Sequence, residues 1–121
     1  MMNGNALCPG LGDYLIAQAR NNHWSNNRLH SACLRLSATE YYQNRPSFFG
    51  SIQIHLDHIV FVDWLYLERL TGKQYLPADV GEELHSELAP LVEDQVKADR
   101  ALIKYCEAAK PEILASKVSF K

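Results

Sequence analysis

Residues Ser51 to Gly72, "SIQIHLDHIVFVDWLYLERLTG", limit the fold more than any other part of the chain. The run is mostly apolar, carries no period-2 alternation, and is too long for a strand. It reads as one helix. Ser47 is the expected N-cap, and Gly72 sits where a left-handed C-terminal glycine closes a helix. Two further helical segments are expected. The first runs from Asp13, as N-cap, to Leu36, with Leu15, Ala19, Leu29, Ala32, Cys33 and Leu36 at helical spacing. Its centre, "NNHWSNNRLH", holds four asparagines, poor helix formers that need tertiary contacts to stay helical. "LSATE" reads as its exit. The other segment runs from about Glu82 to Ala109, with a kink or break near Ala89 imposed by Pro90. Pro111 ends it, and "ILASKVSFK" reads as extended.

The expected class is all-α, an antiparallel up-down helical bundle in a single domain over residues 1–121. Apolar residues at 47% and charged residues at 21% suit a packed core rather than disorder. A net charge of -2 without a basic cluster argues against nucleic acid as partner. The N-terminus lacks a basic-then-apolar signal, and Asp63 interrupts the most apolar stretch, so no membrane span or secretory leader is expected. Cys8, Cys33 and Cys106 form no C-x-x-C pair. They read as reduced thiols in a cytoplasmic protein, Cys33 and Cys106 as small core residues.

A helical wheel sorts the polar residues of the central segment. Ile52, Ile59, Tyr66 and Leu70 lie together, and Leu56, Val60 and Leu67 continue the apolar arc. Gln53, Asp57 and Glu68 form a polar edge, which places Asp57 in solvent. Asp63 falls inside the apolar arc and needs partners; Arg28 or an asparagine of the first segment could pin it. His55 and His58, three residues apart, share one side. Such a pair can give two imidazoles to a metal, but histidines on a helix are more often hydrogen-bonded core or surface groups. His23 and His30 lie two turns apart on the first segment. His85 is expected at the surface near a helix start.

These residues resemble the DinB/YfiT-like superfamily. The pattern S-I-x5-H-x4-D followed by an aromatic and R-L-x-G is met by Ser51, Ile52, His58, Asp63, Tyr66, Arg69, Leu70 and Gly72. "NNHWSNNRL" is similar to the family's first-helix motif through Asn22, Trp24, Asn26, Arg28 and Leu29, with Asn21 where the family has tyrosine. "KADRALIKYCEA" is similar to its third helix, with Asp99 at the familiar place. The resemblance implies a four-helix bundle holding a divalent metal, Zn or Ni, on three histidines. It also implies metal-dependent thiol S-transferase or hydrolase activity.

His58 matches the ligand of the second helix. The other two ligands come from an H-x-x-x-H motif on the family's fourth helix, which these 121 residues do not contain. The expectation is therefore three long helices, with the fourth missing or supplied by a partner. One imidazole does not hold zinc or nickel tightly, so metal is expected absent or weakly bound. His58 is the metal-site residue, and His55, Trp24, Tyr66 and Asp63 are the candidate pocket; no catalytic residue is assigned. The uncovered groove predicts self-association, most simply a dimer, or binding of a small molecule. The alternative to an enzyme is a metal-free binding or oligomerisation module, or an inactive member.

Overall fold

The computed structural model describes residues 10–79, 81 and 83–109. Four helices and no strand occur among them: α1 Leu11–Cys33, α2 Ala38–Tyr42, α3 Ile52–Thr71 and α4 Leu88–Ala108. The all-α bundle is as expected. Cys8 and the C-terminal "ILASKVSFK" lie outside the described residues.

Local chemistry sets the helix ends. Gly10, not Asp13, caps α1, and Asp13 reaches back to accept from the Gly10 N–H at 3.2 Å. "SATE" is a helix start rather than an exit. The Ser37 hydroxyl accepts from the Glu40 N–H (3.1 Å) and Glu40 accepts from the Ser37 N–H (2.9 Å), a reciprocal box that starts α2. Ser51, not Ser47, caps α3, accepting from the Ile54 N–H at 3.1 Å. Gly72 closes α3 at φ 73°, as the sequence predicts. Pro90 does not break a helix. It is the third residue of α4, in the first turn, where its absent N–H has no intrahelical partner to lose.

Helix directions follow from the register of side-chain bonds. Between α1 and α4, Arg20 pairs with Glu107, while His23 and Asn26 both reach Asp99. Positions rise along α1 as they fall along α4, so this pair is antiparallel. Between α3 and α4, Trp64 pairs with Asp94 and Asp63 with Gln95, separations of 30 and 32 residues. Gln53 meets Glu83 and His85 at nearly the same separation, 30 and 32 residues. His85, three residues ahead of α4, lies beside the start of α3, and Asp94 and Gln95 lie beside its middle, so α3 and α4 run in the same direction. The up-down order therefore holds for α1 against α4, while the α3–α4 connection carries the chain back along the length of α3. Sixteen extended residues reach up to about 55 Å and a 20-residue helix is about 30 Å long, so the return is easily made.

That return strap is clamped to the polar edge of α3. Glu68 Oε2 accepts from the N–H groups of Tyr75 (2.8 Å) and Leu76 (2.6 Å). Asp57 accepts from the N–H groups of Leu84 and His85, both at 2.8 Å. Gln53 donates to the His85 carbonyl at 3.0 Å. The placement of Asp57 in solvent is thus corrected: it is 2% exposed. A buried carboxylate is tolerated there because two main-chain donors satisfy it.

The core lies beneath, formed by Leu56, Val60, Trp64 and Leu67 of α3, Leu91 and Ala98 of α4, and Cys33, Tyr41 and Leu76. α4 packs on both α1 and α3. The opposite side of α3 stays open, with Ile59 and Tyr66 exposed.

Candidate functional site

His58 and His55 lie along this open side. His58 is exposed, and its ring tilts onto Phe49 with centroids 4.4 Å apart. His55 is half-buried, packs edge-on to the same Phe49 at 5.0 Å, and places Nε2 3.0 Å from Ser47 Oγ. The two imidazoles therefore share an aromatic neighbour. Among the described residues, no group of three or more His, Cys, Asp or Glu side chains could hold a metal ion. This donor set does not fit a tight zinc or nickel site, which needs at least three protein ligands. His58 is one donor of the kind such a site uses.

Asp63 and Tyr66 do share a cavity. About 140 Å³ in volume, it lies between α3 and α4, with Leu67, Leu70, Ala98, Asp99 and Leu102 completing the wall. Trp24 is not part of it. That indole is exposed on α1, with the Arg28 guanidinium over its ring at 4.9 Å. Arg28 is therefore not the described partner of Asp63. The inter-helix pin that the sequence predicts for Asp63 comes from α4 instead: Gln95 Nε2 donates to Asp63 Oδ2 at 2.8 Å.

A buried polar cluster stands behind the cavity. Asp99, 1% exposed, accepts from Asn26 Nδ2 (3.0 and 3.2 Å), Gln95 Nε2 (3.0 Å), His23 Nδ1 (3.0 Å) and Asn22 Nδ2 (3.4 Å). The asparagines of α1 thus find their tertiary partner. A carboxylate can only accept, so His23 carries its proton on Nδ1. Its Nε2 faces Asn27 Nδ2 at 3.4 Å. The sequence signal for this centre was available. "NNHWSNN" costs helix stability unless an acceptor gathers it, and Asp99 and Gln95 fall among the buried Leu91 and Ala98 of α4.

Burial holds the Asp63 carboxyl above the usual aspartate range; nearby Asp99 adds to the effect and the Gln95 amide opposes it. Such a carboxyl keeps its proton to higher pH and can donate it toward the cavity. His30, 3% exposed, is pushed down by burial, partly offset by Asp99, and its Nδ1 has no hydrogen-bond partner among the described residues. The thiols of Cys33 and Cys106 are raised by burial, which makes them poor nucleophiles.

An all-helical bundle with a buried Asn–His–Asp centre, a carboxyl-lined cavity and an open histidine-bearing face is the class of protein defined here. The chain belongs to the DinB family, whose family model matches residues 2–118. No curated protein and no solved structure matches it.

Proposed function

We propose that this DinB-family bundle is a binding module that takes a small organic molecule at the open face of α3 and in the cavity beside it, without a tight metal of its own. The observation behind this reading is the cavity that Asp63 and Tyr66 share: mostly apolar walls with two carboxyls, Asp99 and Asp63, the latter raised by burial above the usual aspartate range. A homodimer formed through the same face is part of the proposal, supported by the exposed Ile59 and Tyr66. So is a cytoplasmic setting, supported by the free thiols of Cys33 and Cys106. No helix among the described residues is long and apolar enough to cross a membrane.

The second reading is a divalent-metal-dependent thiol S-transferase or hydrolase-like enzyme, with Zn or Ni bound partly by His58. It is supported by family membership and by the exposure of His58, whose nitrogens meet no hydrogen-bond partner among the described residues. Two ligands from outside those residues would have to join it.

Metal content after dialysis separates the two readings. Below about one-tenth equivalent per chain, the binding-module reading stands. Close to one equivalent, lost in His58→Ala, overturns it in favour of the enzyme. Light scattering at micromolar concentration tests the dimer, and a clean monomer would remove that part.

A further inference from the structure

We propose that the space beneath the return strap is a second binding site, for a small planar aromatic molecule carrying an O–H or N–H donor, read by an oriented His85–Asp94 pair. The space is a cavity of about 280 Å³ on the side of α3 away from its open face, walled by Trp64, Leu76 and Leu84 among others. A dry cavity of about 150 Å³ already accepts benzene, so one ring with a polar substituent fits.

His85 is fixed from three directions. Its N–H donates to Asp57 Oδ1 (2.8 Å), its carbonyl accepts from Gln53 (3.0 Å), and its Nε2 lies 2.7 Å from Asp94 Oδ2. Asp94 is fixed in turn, because its other oxygen accepts from the Trp64 indole N–H at 3.0 Å. The Asp94 carboxylate accepts, so Nε2 bears a proton, and in the neutral imidazole Nδ1 is then the acceptor. Nδ1 has no hydrogen-bond partner among the described residues. The two main-chain bonds already anchor the strap, so the imidazole–carboxylate pair is not needed for that. What it adds is an oriented acceptor on the wall of an otherwise mostly apolar space.

The aromatic wall supplies the rest. Trp64 and Tyr75 pack as a tilted pair, 4.8 Å between centroids and 31° between planes, and a third ring can add to that aromatic wall. Recognition then has two parts, ring stacking and one hydrogen bond to His85 Nδ1.

Phenol and toluene are suitable probes, alike in shape and differing in the donor. The indole N–H of Trp64 reports from inside the site by NMR, and that of Trp24, exposed on α1, serves as control. The expected result is a saturable phenol shift at Trp64 with Trp24 unmoved. Phenol should bind about tenfold tighter than toluene, the worth of one shielded hydrogen bond, and His85→Ala should erase that preference. No saturable shift, equal affinity for the two probes, or equal movement of both indoles overturns the proposal. If His85→Ala does not fold, the phenol-to-toluene ratio on the unaltered chain decides alone.

Discussion

Asp99→Ala should loosen the docking of α1 on α4. The substitution strips an acceptor from four donors. They do not suffer equally. Gln95 keeps Asp63, and Asn22, half-buried and 3.4 Å away, can turn to water. That leaves Asn26 and His23 unpaired at the α1–α4 contact. A buried donor without a partner costs about 1–3 kcal/mol, and both are partly accessible, so the low end applies to each. The total is about 2 kcal/mol, a substantial share of the 5–15 kcal/mol that holds a domain of this kind folded. With a urea m-value of about 1.5 kcal/mol/M, the unfolding midpoint falls by about 1.3 M. Asp99→Asn should fall less, because one acceptor oxygen remains. Asn26→Ala combined with Asp99→Ala should cost at least about 1 kcal/mol less than the two singles added, since each removes the same bond. A midpoint within about 0.5 M of the parent chain, or strict additivity in that cycle, would refute the view that Asp99 docks α1.

Three other outcomes follow from the same contacts. Gly72→Ala should cost about 1 kcal/mol in thermal or urea unfolding, from its left-handed φ of 73° alone, because an added Cβ meets open space. Asp57→Ala should free the strap: amide exchange at Leu84 and His85 accelerates, and stability falls by about 2–3 kcal/mol. Stability against pH should show two opposite slopes. His30 is depressed in the folded chain, so its contribution is present above the ordinary histidine value of about 6.5 and is lost as pH falls below it; His30→Leu should flatten that decline. Asp63 is raised, so stability falls as pH climbs from about 3.9 through its folded value; Asp63→Asn, which can still accept from Gln95, should remove that loss and be the more stable chain at neutral pH.

Much of this was legible in the residues, through local chemistry. Gly72 announced a helix end because only a left-handed closure explains a glycine there, and the asparagines of α1 announced a missing partner. The misreadings were non-local. Gln53, Asp57 and Glu68 do form one polar edge, but their partners are main-chain groups of the strap, seven to thirty-two residues away. Nothing in a helical wheel distinguishes an edge facing water from one facing backbone N–H groups. Pro90 reads as a breaker in the sequence, yet its effect depends on where the helix begins, and the clamped strap sets that start. For the site, Asp63 was placed correctly inside the bundle, but its partner Gln95 requires the parallel register of α3 and α4. His55 and His58 share Phe49 through a loop that their spacing cannot reveal.

The position of α4 between α1 and α3 has a consequence for how the chain is made. α3, the strap and α4 hold one another across about thirty residues, short loops to close. α1 is bound to α4 across 73 to 87 residues, so of the described helices the earliest made is the last able to dock. An apolar helix kept waiting that long would invite aggregation. The asparagine-rich face of α1 can stay hydrated until Asp99 has been synthesised.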